Sequence, residues 1–313
     1  MGDSAGFAIE TEGLAKDYGG GHGVFDLNLA IADGTVFGFL GPNGAGKTTT
    51  IRILMGMIRP TVGRARIFGL DCRHDSAAVK RKVGYLPGEL AQLGGLRGSE
   101  VVGYIGSLRG SLDRVRVREI AERFDLDLHR RFREYSRGNK QKLGILLAFM
   151  HRPALLILDE PTGGLDPLNQ QEFYKLVVEA KGDGATVFLS SHILSEVEHV
   201  CDRVGIIRRG RLIRVAEMDE LHDIRLHRVT IVFGGEPPLE ALRAAAGVEN
   251  LEQKDGRVTF TQRGSFEPMM LAVAGSRILD LSSHEPSLEE VFLASYHDPS
   301  TSVGELPVTN PAE

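Results

Sequence analysis

The glycine-rich segment GPNGAGKT, at residues 41–48, constrains the fold of this chain more than any other feature. It follows the apolar run TVFGFL (35–40) and precedes residues 48–58, whose spacing predicts a helix. A buried strand that passes through such a turn into a helix is typical of α/β proteins with a mostly parallel sheet. Apolar runs of strand length at 154–159 and 185–191 predict further strands, buried on both faces of that sheet.

Other segments predict a β-layer and a helical subdomain beside the sheet. Residues 7–37 alternate between apolar and polar positions, as antiparallel edge structure does. One face of this layer is predicted to carry Leu27, Leu29 and Ile31. A helix is predicted over 169–181, and from about 88 to 150 the pattern is helical throughout. These parts together predict one large α/β domain over residues 1–225.

Basic residues are concentrated in the predicted helical subdomain. Between Arg97 and Lys142 there are 12 Lys and Arg against 7 Asp and Glu. Such an excess is typical of a solvated helical face, and it also suits contact with a partner or an acidic surface. The whole chain carries a formal net charge of −5, so no nucleic-acid partner is expected.

A second, smaller domain is predicted over residues 226–297. Its apolar patterns follow the order βαββαβ, with helices over 239–246 and 266–274 and a turn at Asp255-Gly256. This order predicts a small ferredoxin-like α+β domain. Residues 298–313 contain three prolines and three acidic residues with little apolar content, so a disordered tail is expected there.

Bulk features favour a cytosolic location. No run approaches the ~18 apolar residues that a membrane-spanning helix needs. The first ten residues show neither the basic nor the apolar region of a secretory signal. The two cysteines, Cys72 and Cys201, are expected to be buried free thiols rather than a disulfide.

The segment at 41–48, called the phosphate loop below, matches the pattern G-x-x-x-x-G-K-[ST] in the strand-to-helix context that the pattern requires. Its glycines let backbone N–H groups surround phosphates, and the helix N-terminus adds partial positive charge. Lys47 is predicted to bridge the β- and γ-phosphates, Thr48 to bind Mg²⁺, and Thr49 to donate to phosphate. The other residues predicted to line this nucleotide site are Gly41, Pro42, Asn43, Gly44, Ala45 and Gly46.

Two acidic residues follow the apolar run at 154–159. Asp159 and Glu160 lie where this predicted strand ends, at the sheet edge where α/β proteins bind ligands. Asp159 is predicted to hold the Mg²⁺ shell, and Glu160 to orient the attacking water as general base. The alternative, in which the acidic pair caps the next helix ahead of Pro161, is weakened by the phosphate loop upstream.

Several segments resemble those of ABC transporter ATP-binding subunits. YSRGNKQKL (135–143) is similar to the signature segment of that family, in a variant found among bacterial drug-export ATPases. TGGLDP (162–167) resembles its D-loop, and SSHILSEVE (190–198) resembles its switch segment. PSLEEVFLASY (286–296) is similar to a C-terminal element of exporter ATPases of the daunorubicin-resistance type.

The resemblance implies roles for particular residues of the signature segment. Most members read LSGGQ, whereas this chain has Arg137 and Asn139 at two of the five positions. Ser136 and Gly138 match the members that contact the γ-phosphate bound to the opposite subunit.

Further implied roles lie in four other segments. Asp166 matches the key residue of the D-loop, His192 the γ-phosphate contact of the switch segment, and Tyr18 the aromatic residue that stacks on adenine. The match weakens at YLPGEL, where Gly88 stands at the position of a glutamine in the family. Adjacent Glu89 is a candidate replacement for that glutamine; the other interpretation is that one active-site contact is lost.

The resemblance implies a fold class, cofactors and partners. The fold is a P-loop NTPase core of the ABC ATPase type, with a mostly parallel sheet, an antiparallel β-layer and a helical subdomain, plus a small α+β C-terminal domain. ATP and Mg²⁺ are the implied cofactors. The implied partners are a separate transmembrane permease and a second ATPase subunit, in a head-to-tail dimer expected to be a homodimer. The implied activity is ATP hydrolysis that powers export of a drug, antibiotic or lipid-like compound, at the cytoplasmic face of the membrane.

Two rival functions use the same phosphate loop. A soluble ABC ATPase acting on ribosomes or DNA usually carries two cassettes or a long coiled-coil insertion, and neither is found in this sequence. A P-loop kinase or GTPase has no use for a signature segment. The sequence therefore favours the transporter subunit.

Overall fold

A computed structural model describes residues 6–90, 93–110, 112–218, 226–254 and 256–284. The chain divides after Met218 into two compact units. None of the helices in the described part combines the length and apolar character that a membrane span requires. The predicted tail (298–313) and the segment at 286–296 lie outside the described residues, so both remain predictions.

The first unit alternates strands and helices along most of its length. Its strands are β1 (Phe7–Asp17), β2 (Gly23–Ala32), β3 (Val36–Leu40), β4 (Val62–Ile67), β5 (Leu70–Asp71), β6 (Val83–Leu86), β7 (Leu155–Asp159), β8 (Thr186–Ser191), β9 (Arg203–Arg208) and β10 (Arg211–Glu217). Its helices are α1 (Lys47–Leu54), α2 (Ser76–Lys82), α3 (Gly98–Leu108), α4 (Arg114–Arg123), α5 (Arg137–Phe149), α6 (Pro167–Gly182) and α7 (Leu194–Glu198).

A six-stranded sheet lies at the centre of this unit, in the order β10-β9-β3-β8-β7-β6. Strands β6 to β9 and β3 run parallel, and only β10 pairs antiparallel. Every residue of β3, β7 and β8 is buried, because both faces of the sheet are covered. The three strands predicted from apolar runs are therefore confirmed, and their carboxyl ends lie side by side.

The predicted antiparallel layer is also present, in the order β2-β1-β4-β5. Along β2, Leu27, Leu29 and Ile31 are buried while Asn28 and Ala30 between them are exposed. One face of the layer therefore packs on the core, as the alternating pattern predicts.

Helix α1 is shorter than the predicted 48–58. The Gly56 backbone adopts a left-handed conformation (φ +61°). Gly56 N donates to Ile53 O (2.9 Å) and Met57 N to Arg52 O (2.8 Å). This pair of bonds is a Schellman motif, which ends the helix at Leu54 although apolar residues continue beyond it.

Helix α6 begins two residues before the predicted 169. Asp166 accepts a hydrogen bond from Asn169 N (3.0 Å), and Pro167 occupies the first helical position. A capping aspartate followed by proline is a preferred helix start, because proline has no N–H to leave unpaired there.

Helix α5 is held close against β6. A side chain at Gly84 would collide with the Ala148 carbonyl, and one at Gly144 would lie 2.5 Å from Leu86 Cδ1. Both glycines therefore allow the helix and the strand to approach closely. This packing fixes the position of the signature segment, whose residues 137–143 lie in α5.

Both cysteines are buried free thiols, as predicted. Burial raises the pKa of Cys72 to about 12 and also raises that of Cys201. Neither thiol is therefore ionised at neutral pH, and both serve as small apolar side chains.

The second unit contains the predicted βαββαβ order. Its elements are β11 (Leu226–Phe233), α8 (Leu239–Ala244), β12 (Val248–Lys254), β13 (Arg257–Arg263), α9 (Glu267–Val273) and β14 (Ile278–His284). The antiparallel sheet has the order β12-β13-β11-β14. Its core is formed by Val229, Ile231, Phe233, Leu242, Val258, Phe260, Met269 and Val273.

Residue His151, between α5 and β7, generates a prediction about acid stability. Burial, reinforced by the charge of Arg109, lowers the pKa of His151 to about 4. An unfolded histidine titrates near 6.5, so between these values the unfolded chain binds a proton that the folded chain does not. The part of the unfolding free energy that depends on His151 staying neutral is fully present above pH 6.5 and is lost as the pH falls toward 4. We expect His151→Leu to reduce the fall in unfolding free energy between pH 7 and 5 by about 1–2 kcal/mol.

Urea denaturation at both pH values measures this difference. The matched control is His129→Leu at an exposed position, which removes a histidine without altering the surroundings of His151. An equal pH dependence in His151→Leu and the parent chain would contradict the assignment.

Candidate active site

The phosphate loop connects the end of β3 to the start of α1. Gly41 N donates to Ser191 O (3.2 Å), which ties the loop to the end of β8. Gly44 and Gly46 have φ values of +80° and +113°, which residues with a Cβ rarely adopt. The first helical hydrogen bond runs from Thr50 N to Gly46 O (2.9 Å), so the preceding N–H groups point out of the helix end. The loop thus has the backbone geometry of an anion-binding concavity, and the phosphate contacts of its residues remain a prediction.

Lys47 is buried at the start of α1, with 5% of its surface exposed. Its Nζ donates to Gly41 O (2.5 Å) and Pro42 O (3.3 Å). It also lies 3.2 Å from Glu160 Oε1. The ammonium group is therefore held between the loop carbonyls and a carboxylate at the end of β7.

Asp159 and Glu160 lie at the carboxyl end of β7, as predicted. Asp159 is buried, and its Oδ1 accepts a hydrogen bond from Ser190 Oγ (2.6 Å). Glu160 N donates to Ser190 O (3.2 Å). The Glu160 backbone is left-handed (φ +49°), a conformation that a non-glycine residue keeps only where its surroundings hold it.

His192 follows β8 and reaches the same carboxylate. His192 Nδ1 lies 2.7 Å from Glu160 Oε2, while Lys47 Nζ lies 3.2 Å from Oε1. Glu160 Oε1 is buried and, within the described residues, accepts no hydrogen bond. The structure thus brings Lys47, Asp159, Glu160 and His192 together at one sheet edge.

Gly88 faces the Asp159 carboxylate. A Cβ at this position would lie 3.4 Å from Asp159 Oδ2, so a side chain here would point at the acidic residue. Burial and the charge of Asp159 also raise the pKa of nearby Tyr85 to about 12. Glu89 is exposed, and its proposed substitution for the missing glutamine remains a prediction.

The signature segment and the D-loop meet in a second cluster. Ser136 caps α5, with its Oγ accepting from Asn139 N (3.2 Å), and it is exposed. A Cβ at Gly138 would lie 2.7 Å from Gly164 O, so glycine is needed where the two segments touch. Asp166 is exposed at the cap of α6. Ser136 and Asp166 are exposed and Gly138 is half-buried, so the three residues form a surface patch of the subunit.

Tyr18 lies beyond the end of β1 and is 56% exposed. Lys16 Nζ lies 5.4 Å from its ring centroid. An exposed ring flanked by a cation suits stacking with a planar base, and the adenine contact remains a prediction.

Comparison with known proteins decides the family. An ABC transporter family model matches residues 24–163. The bacitracin transport ATP-binding protein BcrA of Enterococcus faecalis is 33% identical over 293 residues, which cover 91% of this chain and 95% of that protein. The daunorubicin/doxorubicin resistance ATP-binding protein DrrA of Streptomyces peucetius is 34% identical over 306 residues, with 92% of each chain covered. This chain belongs to the ABC transporter ATP-binding proteins.

A solved ATP-binding subunit of an ABC transporter has the same fold. It superposes with a TM-score of 0.62 at 29% identity, over 69% of this chain and 92% of that chain. The predicted fold class is thereby confirmed. The ABC protein described here is an ATP-binding and ATP-hydrolysing subunit that works with a membrane permease. Subunits of this family also dimerise.

The fold brings further polar side chains to the ATPase site that sequence inspection missed. They are Gln141, Thr162, Ser190 and Glu196. Ser190 could have been identified from the sequence, because it is a polar residue at the end of an apolar strand. Gln141 could also have been identified, because it lies four and eight residues before the apolar Ile145 and Phe149, on the same buried face of α5.

Glu196 links the D-loop to the switch segment of this ABC ATPase. Its Oε1 accepts from Thr162 Oγ1 (2.5 Å), and its Oε2 accepts from Ser191 Oγ (2.6 Å). All three side chains are buried, at 9%, 4% and 0% exposure. Since Ser191 precedes His192, this carboxylate helps to position the switch histidine.

Removal of the Glu196 carboxylate should destabilise the ABC ATPase. We expect Glu196→Leu to lower the free energy of unfolding by about 2–4 kcal/mol, because two buried hydroxyl groups lose a charged acceptor. Urea denaturation measures the loss. The control is Glu198→Leu on the same short helix, which should change stability by less than about 1 kcal/mol. Equal losses in the two variants would show that the Glu196 contacts contribute little.

Proposed function

We propose that this chain is the motor subunit of an exporter, in which two copies bind two ATP molecules head to tail at the cytoplasmic face of the membrane. The observation that carries the proposal is the Glu160 carboxylate between Lys47 Nζ (3.2 Å) and His192 Nδ1 (2.7 Å). These side chains come from three separate segments. Each is of a type that hydrolysis of a phosphoanhydride requires.

The phosphate loop binds the β- and γ-phosphates in this proposal. The backbone N–H groups ahead of Thr50 face the phosphates and add the positive end of the α1 dipole. Lys47 releases Gly41 O and Glu160 and binds phosphate oxygens instead, because the triphosphate carries more negative charge than these two groups. Thr49 donates its hydroxyl to phosphate. The other residues that we propose line the nucleotide are Gly41, Pro42, Asn43, Gly44, Ala45 and Gly46.

Asp159 and Thr48 fit a magnesium ion. Carboxylate and hydroxyl oxygens are ligands that Mg²⁺ prefers, and Asp159 Oδ1 is already oriented by Ser190. When bound, the ion supplies positive charge to the β- and γ-phosphate oxygens. Because residue 88 is a glycine, it places no side chain beside Asp159 Oδ2.

Glu160 is the proposed general base. Once Lys47 turns to the phosphates, Glu160 Oε1 accepts a hydrogen bond from the attacking water. The water oxygen bonds to the γ-phosphorus, the bond from phosphorus to the β–γ bridging oxygen breaks, and the water proton passes to Glu160. In the nucleotide-free protein His192 Nδ1 lies at Glu160 Oε2 (2.7 Å), and when ATP binds the ring turns to donate a ring N–H to the γ-phosphate.

The exposed surface of Ser136, Gly138 and Asp166 completes the ATP site of the second copy. The N-terminal end of α5 and the Ser136 hydroxyl face the γ-phosphate bound by the partner. ATP then joins two protomers, and its hydrolysis releases them. Tyr18 stacks on the adenine of its own protomer.

Export as the direction rests on the relatives. One of them is named for bacitracin transport and another for daunorubicin and doxorubicin resistance. We therefore infer that the permease partner moves a drug, antibiotic or lipid-like compound out of the cell.

Replacement of Glu160 tests this proposal. In Glu160→Gln we expect phosphate release to fall about 100-fold or more, because the amide cannot accept the proton. ATP affinity should stay within about threefold, since Lys47 and the phosphate loop are retained. Without hydrolysis, the ATP-bound dimer should accumulate in size-exclusion chromatography. Glu198→Gln is the control and should hydrolyse ATP normally. An active, monomeric Glu160→Gln would refute the assigned base.

Ser136 tests the head-to-tail arrangement. We expect Ser136→Ala to lower the hydrolysis rate while the affinity of the monomer for ATP is unchanged, because Ser136 contacts only the nucleotide of the partner. Binding of a fluorescent ATP analogue and phosphate release measure the two effects. Asp113→Ala is the control for loss of a helix cap, since Asp113 caps α4 by accepting from Val115 N and Arg116 N. A large loss of monomer affinity in Ser136→Ala would place this residue in the wrong site.

A further inference from the structure

Gln141 connects α5 to the hydrolytic end of β7. Its side chain is buried, with 8% of the residue exposed. Nε2 donates to Pro161 O (2.8 Å) and to Glu160 O (3.3 Å). A single amide group on α5 thus holds two consecutive carbonyl groups, and one of them belongs to the proposed general base.

The backbone of Glu160 needs such support. Its φ of +49° lies in a region that non-glycine residues rarely occupy. On one side, Glu160 N is held by Ser190 O (3.2 Å). On the other side, Glu160 O accepts from Gln141 Nε2 (3.3 Å) and from Gly163 N (3.2 Å). The orientation of the Glu160 side chain therefore depends on a hydrogen bond from α5 as well as on the sheet and the turn at Gly163.

The same helix carries the surface proposed to touch the nucleotide of the partner. Ser136 caps α5, and Gln141 lies five residues further along. At 1.5 Å per residue the two positions are about 7.5 Å apart along one rigid helix. Ser136 and the Gln141 amide therefore lie on one helix, so a shift of α5 as a body would move both.

We propose that Gln141 is a positioning residue that couples the two ATP sites of the dimer. Contact between Ser136 and the ATP of the partner sets the position of α5, and Gln141 transfers that position to Glu160 of its own site. Each protomer thus adopts its hydrolytic geometry only when the neighbouring site is filled. This inference rests on the function proposed above.

The docking of α5 does not depend on Gln141 alone. Its buried face includes Leu143, Ile145, Leu146 and Phe149, and Gly144 packs on Leu86. Loss of the amide donors should therefore leave the helix in place, while Pro161 O loses the bond from Gln141 and Glu160 O keeps the bond from Gly163 N.

Gln141→Met tests the coupling in the full-length chain, because methionine keeps the length of the side chain and removes both N–H donors. We expect kcat for ATP hydrolysis to fall about 10- to 100-fold, as small displacements of catalytic groups do, with KM for ATP within about threefold. The control is Thr11→Val, which also removes a buried hydrogen bond to a carbonyl group, from Thr11 Oγ1 to Leu27 O (2.9 Å). It should leave kcat unchanged.

Hydrogen exchange separates coupling from a merely structural role. In the Glu160→Gln background with saturating ATP, we expect amides of residues 155–166 to be protected from exchange. Adding Gln141→Met should remove this protection while the ATP-bound dimer still forms in size-exclusion chromatography. Ser136→Ala in the same background, with Gln141 intact, should also reduce the protection. This variant still tests the coupling if Gln141→Met does not fold.

The outcomes distinguish this inference from the proposed function. If Glu160→Gln is inactive but Gln141→Met keeps both its kcat and the ATP-dependent protection, the coupling is refuted and the function stands. Unchanged protection in Ser136→Ala would likewise refute transmission through α5. If Glu160→Gln itself remains active, the proposed function is refuted, and the coupling that rests on it is refuted as well.

Discussion

The active site depends on one constraint, the meeting of three adjacent parallel strands at one sheet edge. Strands β3, β8 and β7 are neighbours, with Leu40 opposite Ser191 and Asp159 opposite Ser190. Backbone bonds continue this register past the strand ends, from Gly41 N to Ser191 O and from Glu160 N to Ser190 O. Parallel pairing therefore brings together a loop, a carboxylate and a histidine that are far apart in the sequence.

Several buried polar groups at this sheet edge are hydrogen-bonded to one another. Asp159 accepts from Ser190, while Glu196 accepts from Thr162 and Ser191. Unpaired polar groups would cost several kcal/mol each in such surroundings, so the hydrogen bonds hold one arrangement of the site. The candidate site is consequently preorganised by the fold. In the proposed mechanism Lys47, held by the loop carbonyls and Glu160, is the group that exchanges its partners.

Helix α5 gives the site a connection to the outside of the subunit. Its first residues touch the D-loop at Gly164, and its middle reaches the carbonyl groups that follow β7. The close approach at Gly84 and Gly144 seats the helix tightly on β6. A family whose members work in pairs through a membrane partner gains from such a rigid link.

The sequence alone determined the elements that local chemistry specifies. The phosphate loop, the three apolar strands and the β2 alternation were predictable, because backbone freedom at glycine and two-sided burial leave short-range patterns. It did not determine the end of α1, which a Schellman motif at Gly56 sets before the apolar pattern stops. The links from Glu196 to Thr162 and from Gln141 to Glu160 were decided only by tertiary structure. They join residues 34 and 19 positions apart, and no local pattern specifies which buried hydroxyl or carbonyl group a side chain meets.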